Sequence, residues 1–178
     1  LTDASSHNQD GFPASSHNHR TEVWFAYLTG VRFGRHYSLR WRKVDLDAAV
    51  AYFPSKNPRA KNTVKAMPLH PDLVEMLQAL PRDKTGYVFR GGAGVSKGYH
   101  LTFFETAVKR AGLEDFRWHD LRHSFATALR EQEETLMLVQ DAMGHKSPAM
   151  TSRYAHIGEN KLRSAINKLN PAGLKVVS

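Results

Sequence analysis

Apolar residues recur at helical spacing in one short segment of this chain after another, and only one stretch reads as strand. Leu73, Met76, Leu77 and Leu80 form one such stripe, ended by Pro81. Leu101, Phe104, Ala107, Val108 and Ala111 form another, with Gly112 just past its end. Near the start, Val23–Leu28 reads as a short buried helix closing at Gly30, where glycine can take a left-handed C-cap. A second helix is expected from Gly34 to about Arg42. Leu136, Val139 and Met143 give residues 134–143 an apolar face, and Ser147-Pro148 is a good helix start, serine capping and proline in the first turn. Leu162, Ala165, Ile166 and Leu169 line a last helix over Lys161–Leu169. The exception is Ala48–Ser55 with Thr63–Leu69, two strands of an antiparallel hairpin joined by the basic turn Lys56–Asn62. Tyr87-Val88-Phe89 is a short extended piece leading into a flexible loop, Gly91–Gly98. The expected fold class is mainly α with a small antiparallel β-sheet, an α+β domain.

A chain of 178 residues fits one domain with a real core. Residues 1–20 are polar, with Ala-Ser-Ser-His-Asn at 4–8 and again at 14–18, and are expected to be irregular or disordered. The domain is expected over 21–170, with a tail at 171–178. His7, His17 and His19 lack the cysteines and fixed spacing of a metal site and read as part of a polar linker. The absence of cysteine excludes disulfides and thiolate metal sites. No apolar run approaches the roughly 18–20 residues that would span a bilayer, so no membrane partner is expected. The start at Leu1 rather than Met is what a fragment of a longer chain would have.

The net charge of +8 favours an anionic partner, and its placement is more telling than its size. Residues 31–65 hold nine Lys or Arg against two acids, Asp45 and Asp47. A solvated face, a membrane-surface patch and a nucleic-acid site all fit such a block.

Chemistry enters with Trp118–Thr127, which puts His119 and Arg122 three apart at the mouth of an amphipathic helix. Cutting a phosphodiester without a metal needs fixed cations on the non-bridging oxygens, an in-line nucleophile and a proton for the departing 5′ oxygen. Arg32 and Arg122 are the candidate clamp, since a guanidinium offers two parallel hydrogen bonds. His145 follows a glycine in what reads as a tight loop. Tyr154 carries a phenol whose ordinary pKa of about 10 needs neighbouring cations and a base. Lys56, at the tip of the basic hairpin, can reach a leaving oxygen. Each residue also has a plain structural reading. Arg32 can pair with Asp45 or Asp47, Lys56 can be a turn lysine, Tyr154 a half-buried core residue, and Gly144–Ser147 a helix stop followed by a cap.

Taken together and in order, the segments resemble the catalytic domain of the tyrosine recombinases, the phage-integrase family, from about Glu22 to Leu169. Thr29-Gly30-Val31-Arg32 is similar to that family's TGLR box, with Leu39, Trp41, Val44 and Asp45 following as its usual sequel. Ser55-Lys56 and Met67-Pro68-Leu69 resemble the hairpin that carries a lysine. His119–Thr127 is similar to the H-x-L-R-H-[ST]-x-A-[ST] box, Met143–Ser147 to LGH-x-S, and Tyr154-Ala155-His156 to Y-x-H. The resemblance implies that Tyr154 attacks the scissile phosphate to give a 3′-phosphotyrosine. Arg32, Arg122 and His145 would hold the phosphate oxygens, Lys56 would protonate the 5′ oxygen, and His119 would handle the tyrosine's proton. No cofactor and no metal ion are implied. The implied partners are double-stranded DNA and further recombinase protomers, in a tetrameric synapse. The implied setting is the bacterial cytoplasm, at the nucleoid, in the integration or excision of a mobile element.

Three departures stand out. Arg35 occupies a position where the family usually has an acid, residues 1–20 lack the usual helical pattern, and an N-terminal DNA-clamping domain is not in this chain. The same residues therefore also admit a DNA-binding remnant of an integrase that has lost turnover. His123 and His156 read as structural neighbours of the site. The apolar stripe of the last helix can dock on a neighbouring protomer or within its own chain.

Overall fold

A computed structural model describes residues 19–54, 64–82, 86–89, 101–132, 138–139, 142–143 and 155–169; of 155–159 it describes the backbone alone. The hairpin tip at 56–62, the loop at 91–98, the Ser147-Pro148 helix start and the tail at 171–178 lie outside these residues.

Helix α1 (His19–Thr29) is the central element. Phe25, Ala26, Tyr27 and Leu28 are all buried, and so are Thr21, Glu22 and Thr29, so the helix has core on nearly every side. It packs on α3 (Pro71–Gln78) and α5 (Trp118–Glu131). The irregular segment expected over 1–20 must be shortened, because His19 and Arg20 form the first turn of α1. His19 is held there by stacking on Phe103, ring centroids 3.9 Å apart. At the other end Gly30 has φ 57°, the left-handed conformation that stops the helix.

Helix α2 (Phe33–Tyr37) has five residues, shorter than the span to Arg42 that the sequence suggests. The backbone beyond it is claimed by a distant partner. Val88 N–H donates to Leu39 O at 3.0 Å, Trp41 N–H donates to Gly86 O at 2.9 Å, and Arg40 bridges Tyr87. The Arg40 guanidinium also lies 4.0 Å from the centre of the Tyr87 ring. A single 3-10 turn, Trp41–Lys43, then leads into the sheet.

The expected hairpin is present as β2 (Val50–Pro54) and β3 (Val64–Pro68), antiparallel, with Tyr52 opposite Ala66. A two-residue strand β1 (Val44–Asp45), not anticipated from the sequence, pairs with β2 to give the order β1-β2-β3. Ala51, Phe53 and Met67 face the core. Helix α3 begins with Pro71 at its first position and the His70 side chain accepting from Asp72 N–H at 3.2 Å. Helix α4 (Thr102–Arg110) ends before Gly112, whose φ is 67°. Of the apolar segment 134–143, residues Leu138, Val139, Ala142 and Met143 are described, and all four are buried.

The last helix, α6 (Ala155–Asn167), starts six residues before the Lys161 read from the sequence. Gly158 weakens the helical pattern locally by about 1 kcal/mol, which hides the true start. Its apolar stripe docks within the chain. Leu162, Ala165, Ile166 and Leu169 are buried, α6 packs on β3, and Arg163 donates to Ala49 O at 3.3 Å.

Candidate functional site

The site is built around Arg122, which is only 5% exposed although it is a cation on the second turn of α5. A buried guanidinium must find acceptors. Its Nη1 donates to Gly30 O, and its Nη2 donates to Met143 O at 2.5 Å. One side chain thus ties α5 to the loop after α1 and to the residue preceding Gly144-His145 in the chain.

Close packing brings Gly30 within reach. A Cβ placed on Gly30 would sit 2.3 Å from Cδ1 of Phe125, a wholly buried ring one turn beyond Arg122. Only a residue without a side chain allows α5 to approach the α1–α2 loop this far. Arg32 lies two residues on, as N-cap of α2 with extended φ −67° and ψ 147°, and is partly exposed. Among the described residues it makes no ion pair with Asp45 or Asp47, so the plain structural reading of Arg32 has no support there.

His119 projects from the first turn of α5 and is exposed, with the His123 ring edge-on at 4.9 Å. The start of this helix is fixed by Asp120, whose carboxylate accepts the Arg117 N–H at 2.6 Å. Trp118 anchors the same turn from below, buried against Phe33, His36 and Tyr37 of α2. Under α2, Tyr37 Oη donates to the buried Glu22 carboxylate at 2.9 Å, and the wholly buried His36 stacks on Phe89 at 4.3 Å. Burial pushes the His36 pKa down to about 3 against the opposing pull of Glu22, so its imidazole is neutral near pH 7.

Electrostatics mark the same place. Burial, then the charges of Arg32 and Arg35, lower the Arg122 pKa to about 10, which still leaves it cationic at neutral pH. Arg35 is lowered in turn by burial and by Arg32. The structure therefore brings together Arg32 and Arg122, with His119 one helical turn away. Lys56, His145 and Tyr154 lie outside the described residues; Tyr154 immediately precedes α6 in the chain. No group of three or more His, Asp or Glu able to hold a metal occurs among the described residues. An open hollow lined by Arg42, Lys43, Asp45, Asp47 and Arg82 includes none of the candidate residues.

Sequence reasoning missed three features. The Asp120 cap had a local signal, an acid in the first turn three residues after Arg117. The Gly30–Phe125 contact and the coupling of Arg35 to Arg122 had none.

The domain is mainly helical with a small sheet, and it brings two arginines and a helix-borne histidine around the loop after α1. The chain belongs to the phage integrase family, whose model matches residues 6–161. The integrase of Salmonella phage P22 is 28% identical over 156 residues, covering 80% of this chain and 40% of that protein. Among solved structures, the integrase from mycobacterium phage Brujita superposes with a TM-score of 0.66 at 25% identity, over 89% of this chain and 54% of that one. A XerH site-specific recombinase bound to palindromic difH substrate in a post-cleavage complex gives 0.57 at 26% identity, over 82% and 44%. This chain thus spans about half or less of the length of these relatives.

Proposed function

We propose that the chain is the catalytic part of a site-specific DNA recombinase that cuts and rejoins strands in the integration or excision of a mobile element. Tyr154 Oη attacks the scissile phosphorus, forming a 3′-phosphotyrosine bond as the bond to the 5′ oxygen breaks. His119 accepts the phenolic proton and Lys56 supplies one to the departing oxygen. Arg32, Arg122 and His145 hold the non-bridging oxygens, where negative charge grows in the transition state. The ester conserves the bond energy, so rejoining reverses the same steps with no nucleotide, cofactor or metal. Its partners are double-stranded DNA and further protomers, in a tetrameric synapse, in the bacterial cytoplasm. The reading assigns this role to the domain expected over 21–170, extended at its start by the α1 residues His19 and Arg20.

The observation that carries this reading is Arg122: a nearly buried cation, fixed by two main-chain carbonyls, beside a second arginine that no described carboxylate neutralises. A stretch of this kind is poised for an anion, and the XerH relative was solved on its DNA substrate. The test is a nicked suicide duplex carrying the ends of the parent element, incubated with the protein in EDTA and run on a denaturing gel. A DNA-linked protein band is expected, absent in Tyr154→Phe, which should still bind the duplex. A band that persists in Tyr154→Phe, or one that requires added metal, would overturn the assignment.

A further inference from the structure

Residues two apart on a strand share a face, so Lys65 lies on the same face of β3 as Met67, and its register partner on β2 is Phe53. Phe53 and Met67 are both buried, whereas Val64, the apolar neighbour of Lys65, is 49% exposed. The strand thus turns a cation towards the core and a hydrophobe towards water. A half-buried ammonium in that place needs an acceptor. Lys65 Nζ donates to Ala142 O at 3.3 Å, across 77 positions of the chain.

Ala142 is the last described helical residue before Gly144-His145, and Met143 N–H donates to Val139 O at 2.9 Å in the same turn. Ala142 and Met143 are both buried, so water is a poor partner for their carbonyls. The final carbonyls of a helix lack partners within it and carry the negative end of its dipole. Two cations from different elements take consecutive ones here. Lys65 of β3 holds Ala142 O, and Arg122 of α5 holds Met143 O at 2.5 Å. A chain gripped at two successive carbonyls from two elements has little freedom to turn, and His145 follows only two residues after Met143.

We propose that Lys65 is a positioning residue of the strand-transfer site. Together with Arg122 it fixes the chain end from which Gly144-His145 departs, and through that end it sets where the His145 ring meets the phosphate. The role in strand transfer rests on the reading above; the anchorage of the chain end does not.

The test compares wild type, Lys65→Met and Lys65→Arg. Methionine keeps an unbranched stem without the charge, and should leave the Tm within about 4 °C of wild type, which shows that the variant folds. Hydrogen exchange without DNA reads the anchorage. A peptide spanning residues 138–146 should exchange about tenfold faster in Lys65→Met, with peptides of α1 and α3 unchanged and Lys65→Arg close to wild type. Single-turnover cleavage of the suicide duplex at saturating protein reads the role in the site. Adduct should form about tenfold more slowly with Lys65→Met, while its Kd for the duplex stays within about threefold and Lys65→Arg recovers most of the rate. A merely structural role would leave the rate of folded, bound protein unchanged. Unchanged exchange at 138–146 would overturn the proposal, as would faster exchange with a wild-type rate of adduct formation. So would a loss confined to Kd with a salt slope smaller by about one, the mark of a phosphate contact. If wild type itself forms no adduct, the strand-transfer reading fails, and the exchange result alone decides whether Lys65 holds this chain end.

Discussion

Replacing Gly30 with alanine tests the geometry of the site without touching any group that reacts. Two penalties combine. At φ 57° an L-residue is in the left-handed region, which costs about 1–2 kcal/mol. The added methyl would also stand 2.3 Å from Cδ1 and 2.9 Å from Cε1 of Phe125, so a buried aromatic ring must move in a packed core. Overpacking of that kind costs about 1–3 kcal/mol. The sum, about 2–5 kcal/mol, corresponds to a drop in Tm of roughly 4–20 °C for a chain of this size. Urea unfolding of four proteins separates the parts: wild type, Gly30→Ala, Phe125→Leu and the double variant. With the ring gone, Gly30→Ala should cost only its backbone share, leaving a coupling of about 1–3 kcal/mol between the two positions. If Gly30→Ala unfolds within about 0.5 kcal/mol of wild type, or costs the same in both backgrounds, the close approach of α5 to the α1–α2 loop is wrong.

Two further outcomes follow from residues away from the reacting groups. The folded pKa of His36, about 3, lies below its ordinary 6.5, so the unfolded chain takes up a proton that the folded chain refuses. Stability is therefore full above about pH 6.5 and falls as pH drops towards 3, by at most ~1.4 kcal/mol per pH unit from this group. His36→Leu should flatten the decline between roughly pH 6.5 and 5 in denaturant midpoints, and an unchanged slope would place the proton elsewhere. Ile166→Ala on α6 should cost about 2–5 kcal/mol of the chain's own stability, because this side chain is wholly buried within the chain. A loss that appears only at high protein concentration would mean instead that the helix docks between copies.

Helices α3, α4 and α5 were legible in the sequence because their stripes and stops are local: Leu73 to Pro81, Leu101 to Gly112, and the run after Trp118. The hairpin was equally plain. What the sequence hid was decided by distant partners. Nothing near Ser38 announces that α2 stops; the backbone at 39–41 is drawn into hydrogen bonds with residues 86–88. Strand β1 is two residues long and exists only against β2. The site shows the same division. Arg32, His119 and Arg122 could be picked out by residue type and spacing, and the fold does gather the two arginines. Yet the H-x-x-R spacing says nothing of where a guanidinium points. That Arg122 faces inward to Gly30 and Met143, and that Arg35 acts on it electrostatically, depends on contacts spanning tens of residues.

The inward grip of Arg122 has a practical corollary for anyone who wants a silent but intact version of this domain. A guanidinium has five N–H donors, and here two of its nitrogens are engaged on the carbonyls of Gly30 and Met143, which lie far apart in the chain. The residue is a keystone of the fold: shortening it would release both carbonyls in the same stroke. A blank control made at position 122 therefore confounds broken chemistry with broken architecture. His119, whose ring stands at the surface on a turn held by Asp120 and Trp118, is the better place to disarm the protein while keeping its shape.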